Sequence, residues 1–278
     1  MATEWQPLRI EHHIHRPALA TDLPDIVCLH GICAGAWVFP MAFINPLLEA
    51  GFTVHTLSYR GHGSSDGYDG IRTWRLGDYV ADVRGILQSL PQPPVVLGHS
   101  LGSAITQILL RDEDGLAAAV LMSPVPPQGL AAVSWRLLWS DPMAYQQLWV
   151  ALTVGVKQVS ERIGARLLFS ASEVSDTIRE FFATCTDESP WLAADLQGIP
   201  RIGPATYDAL SHPPVLVVSG TEDRLIRPTD AADVGRFYGR GVEWVQGGSH
   251  MLMYDAEAPL LADWIAQELK RVLALGTV

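Results

Sequence analysis

The sequence has little cysteine and little positive charge. Its three cysteines, Cys28, Cys33 and Cys185, are odd in number and lack the spacing of a metal-ligand set. That excludes a disulfide scaffold and a zinc-finger site and fits a reducing compartment. Lys and Arg total 19 against 30 Asp and Glu, a net charge of −11. Nucleic acids and anionic membrane surfaces are held by clustered cations, so neither is an expected partner. The opening residues, MATEWQPLRIEHHIH, lack the basic start and apolar stretch of a secretory leader. Nor is there an uncharged apolar run near the ~18 residues of a membrane helix. The expectation is a soluble, cytoplasmic protein with no membrane span. Charged residues make up 18% of the chain and hydrophobic ones 48%, which excludes disorder as the dominant state. At roughly 100–200 residues per domain, 278 residues make one large domain or two small ones.

What the chain does have is an alternation of strand and helix patterns. Residues 25–30 (DIVCLH), 53–58 (TVHTLS), 94–98 (PVVLG), 116–122 (LAAAVLM), 214–219 (PVLVVS) and 242–246 read as strands. Most are short apolar runs, as expected of strands buried on both faces. His12, His13 and His15 fall on an earlier strand at the far end and are not expected to hold a metal. Residues 75–90 carry apolar side chains at steps of three and four from Leu76 to Leu90, a helix face stopped by Pro91. Residues 101–111 and about 257–274 are further helices. Such alternation implies an α/β fold with a largely parallel sheet and helices on both faces. Between Pro124 and Pro213 only helix patterns occur. Asp141-Pro142 and Ser189-Pro190 read as helix starts, a capping side chain followed by proline. Ser170 and Glu173 have the spacing of a capping box. The expected organisation is a core of residues 1–127 and 211–278, interrupted at 128–210 by three or four helices.

Gly98-His99-Ser100-Leu101-Gly102 is a G-x-S-x-G between a strand and a helix. A serine on so tight a turn takes strained backbone angles, and a side chain two residues to either side would collide with the chain. The turn lifts Ser100 Oγ above the sheet and aims the free N–H groups of the next helix at a reacting carbonyl. A serine hydroxyl is a weak nucleophile at neutral pH and needs a base. Histidine suits that task, and a carboxylate must orient it. Asp223 follows the strand PVLVVS and His250 follows VEWVQ. The carboxyl ends of parallel strands share one edge, so Ser100, Asp223 and His250 are expected to meet there, with Glu222 the rival acid. An oxyanion hole needs two N–H donors. One is that of Leu101, directly after the serine. The other is that of Ile32, which Gly31 lets the loop after DIVCLH turn inward.

The motifs LHGICAGAW, YRGHGSSDG, GHSLGS, SGTEDRLI and GGSHMLM, in this order over nearly the whole chain, resemble the α/β-hydrolase superfamily. The resemblance implies a mostly parallel eight-stranded sheet with an all-helical cap inserted after strand 6, and its G-x-x-D spacing favours Asp223 over Glu222. HG-x-x-x-GAW and H-M-x-M are similar to the plant methylesterase and hydroxynitrile lyase group; YRGHGSSDG and GHSLGS are similar to bacterial esterases and lysophospholipase-like hydrolases. Serine at 100 departs from haloalkane dehalogenases and epoxide hydrolases, which place aspartate there. Met251 stands where the hydroxynitrile lyases carry lysine, and Ile32 where they carry threonine. Both changes favour ester hydrolysis over cyanohydrin cleavage.

The expected activity is therefore that of a serine hydrolase acting on a carboxylic ester or thioester, lactones included, of a fairly apolar small molecule. It would need no metal and no cofactor. Acyl transfer, cyclisation or a cofactor-free lyase reaction on the same triad is the alternative, and a non-catalytic small-molecule receptor is a third reading. Cys33, His99 and Met251 are expected to line the substrate site beside the serine. Trp135, Leu138 and Trp139 have helical spacing and are expected to present an apolar face to it, closing a pocket between insertion and sheet. His30 is expected to brace the oxyanion loop, His62 to fix a turn and Ser103 to be a small packing residue.

Overall fold

A computed structural model describes residues 8–198, 201–208 and 212–275. Seven strands form one sheet: β1 (Glu11–His15), β2 (Ile26–Leu29), β3 (Val54–Ser58), β4 (Val95–His99), β5 (Ala118–Met122), β6 (Val215–Gly220) and β7 (Val242–Val245). Their spatial order is β1-β3-β2-β4-β5-β6-β7. β1 runs antiparallel to β3, and the other pairings are parallel. Every residue of β2 to β6 is buried, which is why β2, β4, β5 and β6 are mostly apolar without alternation, whereas β3 buries the polar His55, Thr56 and Ser58. The two-residue period still decides destination: Ile26 and Cys28 enter one core, Val27 and Leu29 the other. α1 (Met41–Glu49) and α10 (Ala258–Leu275) cover the first face with Phe43, Leu47, Ile265 and Leu269. α2 (Leu76–Leu87) and α3 (Leu101–Arg111), together with α9 (Pro228–Phe237), cover the second with Tyr79, Val83, Ile105 and Val234.

Among the described residues the sheet has seven strands, not the eight that the resemblance implies, so the helical insertion follows the fifth. Just ahead of β1, Arg9 pairs with a loop. Arg9 N–H donates to Asp66 Oδ2 at 2.9 Å and Asp66 N–H donates to Arg9 C=O at 2.9 Å, and among the described residues β1 is the sheet edge.

Between β5 and β6 the described residues hold five α-helices: α4 (Ala131–Ser140), α5 (Pro142–Thr153), α6 (Glu161–Leu168), α7 (Asp176–Thr184) and α8 (Pro190–Asp195). The count exceeds the expected three or four; at the expected start, Asp141 both ends α4 and begins α5, its side chain accepting from Ala144 N–H at 3.1 Å. Ser189 caps α8 in the same way, accepting from Trp191 N–H at 3.2 Å. The capping box at Ser170 and Glu173 does not form. Ser170 lies at φ +51°, and its hydroxyl donates to Glu222 C=O in the loop after β6. α7 begins only at Asp176, capped by Ser175. A tertiary hydrogen bond here displaces the local one. Val133 and Leu137 of α4 pack with Leu225 and Ile226 of the loop after β6, while Phe181, Phe182 and Cys185 run on into the core of the first sheet face. The expected boundary between 210 and 211 lies outside the described residues, since 209–211 are not among them. No helix among the described residues is long and apolar enough to cross a membrane.

Candidate active site

Ser100 joins β4 to α3 at φ 52° and ψ −114°, a conformation L residues rarely take. Distances explain the flanking glycines. A Cβ on Gly98 would stand 2.3 Å from Gly102 O, and one on Gly102 would stand 2.2 Å from Leu29 O. Both obstacles are backbone atoms and have no rotamer to retreat into. Hydrogen bonds hold the strained residue on both sides. Ser100 N–H donates to Met122 C=O at 3.0 Å, and Ser100 C=O accepts from the Ser103 hydroxyl at 2.6 Å. Ser103 Oγ in turn accepts from Val125 N–H at 2.9 Å. Ser103 is thus a tie between the turn and the chain after β5, not the small packing residue the sequence suggested. The signal was available: a hydroxyl in the first turn of a buried helix needs partners.

His250 Nδ1–H donates to Asp223 Oδ2 at 2.8 Å, and both side chains are buried. Asp223 Oδ1 accepts from the N–H groups of Leu225 and Ile226, each at 2.9 Å, so both carboxylate oxygens are fixed. Glu222 is exposed and takes no part. The backbone carbonyl of His250 receives His99 Nε2–H at 2.9 Å and the Ser123 hydroxyl at 3.0 Å. Burial, and secondarily the neighbouring His250, push the His99 pKa down to about 3. His99 therefore stays neutral and braces His250. Among the described residues no hydrogen bond joins Ser100 Oγ to the His250 ring. The two groups border the same cavity, and contacts of this kind commonly tighten only in the substrate complex.

The loop after β2 is held at each peptide. His30 is neutral, because burial and then the charge of His62 push its pKa down to about 3. Its Nδ1–H donates to Gly31 C=O at 2.7 Å, and its Nε2 accepts from Tyr59 N–H at 3.1 Å. Within a trans peptide the C=O and N–H point opposite ways in one plane, so anchoring Gly31 O also aims Ile32 N–H. Among the described residues neither Ile32 N–H nor Leu101 N–H is taken by a backbone or side-chain acceptor. For Leu101, at the start of α3, this follows from helix geometry.

Two cavities meet at Ser100 and Ile32. The first is walled by Cys33, His99 and Met251 from the core and by Ile163, Leu167 and Phe181 from the insertion. The second runs past Leu101 and Val125 beneath Val133, Leu137 and Trp149. Cys33, His99 and Met251 border the cavity that also reaches Ser100. Trp135, Leu138 and Trp139, expected to face the serine, line neither cavity, and Trp135 and Trp139 are 65% and 71% exposed. α4 carries two apolar pairs at i, i+4, and spacing does not say which faces inward. Val133 and Leu137 take the inner face.

Comparison with known proteins places this arrangement. The alpha/beta hydrolase family profile matches residues 26–263. Polyneuridine aldehyde esterase of Rauvolfia serpentina is 31% identical over 119 residues, 41% of this chain and 44% of that protein. The AB hydrolase superfamily protein YfhM of Bacillus subtilis is 34% identical over 85 residues, 30% of this chain and 29% of that protein. The similarity therefore spans less than half of either relative. A solved structure from work on carboxylesterases of the thaumarchaeon Nitrososphaera gargenis has the same fold, with a TM-score of 0.69 and 18% identity over 99% of both chains. Because the family match runs from β2 into α10 and takes in the serine turn and the loops of Asp223 and His250, the chain belongs to the alpha/beta hydrolase family.

Proposed function

We propose that this chain is a serine hydrolase that cleaves a carboxylic ester or thioester, lactones included, of an apolar small molecule. One observation carries the reading above the others: the strained Ser100 and the Asp223-backed His250 border one apolar cavity. Ser100 Oγ attacks the carbonyl carbon as its proton passes to His250 Nε2. Asp223 stabilises the imidazolium, and the N–H groups of Ile32 and Leu101 stabilise the oxyanion. His250 then protonates the leaving alkoxide or thiolate as the C–O or C–S bond breaks, and the acyl group stays on Ser100. Water, deprotonated by His250, adds to that acyl group and releases the acid and the free serine. In this reading residues 128–210 act as a cap over a core of 1–127 and 211–278. Cavities on both sides of Ser100, lined without Asp, Glu, Lys or Arg, favour a neutral ester with an apolar group on each side of its carbonyl, since an unpaired buried charge is costly.

Replacing Ser100 by alanine is expected to leave the fold intact, abolish labelling by a fluorophosphonate probe and lower ester turnover by about 10³-fold or more. Undiminished hydrolysis by that variant, or a folded native protein that does not label, overturns the reading. On p-nitrophenyl esters kcat/KM is expected to rise from acetate to longer acyl chains. A maximum at acetate with steady decline contradicts the apolar acyl site.

A further inference from the structure

Glu188 lies between α7 and α8 and is fully buried, where a carboxylate persists only if its charge is met. Its Oε2 accepts from Cys33 N–H at 3.2 Å. Its Oε1 accepts from the Tyr79 hydroxyl at 2.7 Å and from Ser189 N–H at 3.0 Å. His62 Nε2, from the loop after β3, stands 3.2 Å from Oε2, off line for a hydrogen bond but within ion-pair range. His62 Nδ1 lies 3.2 Å from Arg60 C=O and must carry a proton to donate there. A neutral ring would then turn its Nε2 lone pair toward a carboxylate oxygen, so the ring is cationic and the two groups form a buried ion pair.

These contacts converge on the oxyanion loop. Cys33 follows Ile32 and sits at φ +59°, a region unfavourable for a side chain with a Cβ. Glu188 holds its N–H, and Thr186 N–H donates to its C=O at 3.0 Å. Both clamps come from one short stretch of the insertion. On the other side of Ile32, His30 holds Gly31 C=O.

We propose that Glu188 is a positioning residue for the oxyanion hole: by holding Cys33 N–H it fixes the backbone that presents Ile32 N–H, with His62 supplying the balancing charge. The inference rests on the hydrolase reading above. It makes the insertion part of the reacting geometry, because the Ile32 donor is held from both sides only when the Thr186–Glu188 stretch is docked. An amide cannot replace the carboxylate. Cys33 N–H and Ser189 N–H reach different oxygens, and glutamine has one acceptor, so in either rotamer its NH2 opposes an N–H.

Glu188→Gln is therefore expected to lower kcat by about 10- to 100-fold with little change in KM, and to weaken a boronic-acid transition-state analogue in parallel. A folded variant with unchanged kcat overturns the proposal and leaves the hydrolase reading standing. A wild-type protein that neither turns over esters nor labels overturns the hydrolase reading itself. A second measurement decides the matter should the glutamine variant not fold. Burial is the largest influence and opposes the charge on His62, but Glu188, the Arg60 carbonyl and Asp82 together outweigh it and the pKa is raised. Asp82 of α2 acts in the same direction, and His30, Tyr59 and Tyr79 also face the ring. The pair is intact below the raised pKa and is lost as pH rises through it, so kcat falls on the alkaline side. In His62→Gln, whose amide donates at every pH, that alkaline limb is expected to vanish, and an unaltered limb overturns the proposal.

Discussion

The loops at the carboxyl ends of the strands and the helical insertion above them contribute to one site by different physics. In the loops, position is set by backbone: Gly98 and Gly102 admit the Ser100 turn because a Cβ at either would strike main-chain atoms, and Asp223 is fixed by two N–H groups of its own loop. In the insertion, position is set by which side-chain face is chosen. α4 buries Val133 and Leu137 and exposes Trp135 and Trp139, although both pairs have the same spacing. Backbone constraints are local and tolerate few solutions. Face selection is a tertiary decision, taken by the loop after β6 on which α4 packs.

The sharpest way to break this contrast is Gly102→Ala. The added Cβ would meet Leu29 O at 2.2 Å, and the only relief is to move α3 off β2, taking Ser100 and Leu101 with it. The expected cost is about 3 kcal/mol or more of stability and at least ~10²-fold in kcat/KM, read by urea denaturation and ester turnover. Near-wild-type values would mean that the turn is not constrained by backbone.

The same contrast explains what was legible in the sequence. Ser100, Asp223 and His250, together with the strand–helix alternation, follow from short-range rules: glycine sterics, strand-end loops and apolar runs. The eighth strand came from resemblance, not from residues; among the described residues there are seven, and Arg9 ahead of β1 pairs with Asp66. Glu188 was invisible because, in the run TDESP, it reads as an ordinary surface acid. Its partner His62, read as a turn residue, does hold Arg60 C=O, but nothing local announces that its other nitrogen meets a carboxylate from the insertion.

Phe181→Ala tests the insertion side. The ring contacts Trp37, Phe169, Phe182 and Tyr254 edge-on and lines the first cavity. Truncation is expected to cost about 3–5 kcal/mol and to shift the ester optimum toward longer or bulkier chains, with Ser100 labelling retained. An unchanged chain-length profile would show that the walls of α5 to α7 do not select substrate.

The buried histidines separate the regions by pH. His99 and His30 of the core have pKa values of about 3, well below the ordinary value, so the unfolded chain takes up their protons first as pH falls. Each therefore removes stability progressively below about pH 6.5, at about 1.4 kcal/mol per pH unit. His62, whose pKa is raised by the insertion's Glu188 against burial, acts in the opposite sense and loses its contribution as pH rises. Urea midpoints of His99→Gln are expected to fall less steeply on the acid side than those of wild type, while the alkaline side is unaltered. Equal acid slopes would mean that His99 is protonated in the fold.

The smallest effect is expected where sequence reading placed a pocket wall. Trp135 and Trp139 touch one another edge-on, with ring centroids 5.7 Å apart, and neither borders a cavity. Replacing both by serine removes two large aromatic groups from a helix that faces Ser100 only through its opposite side. Stability is expected to change by less than about 1 kcal/mol and kcat/KM for soluble esters to stay at the wild-type value. The comparison fails if the double variant instead alters chain-length preference as Phe181→Ala does. That result would require α4 to turn its tryptophans inward when substrate binds, making face selection in the insertion a property of the complex and not of the resting fold.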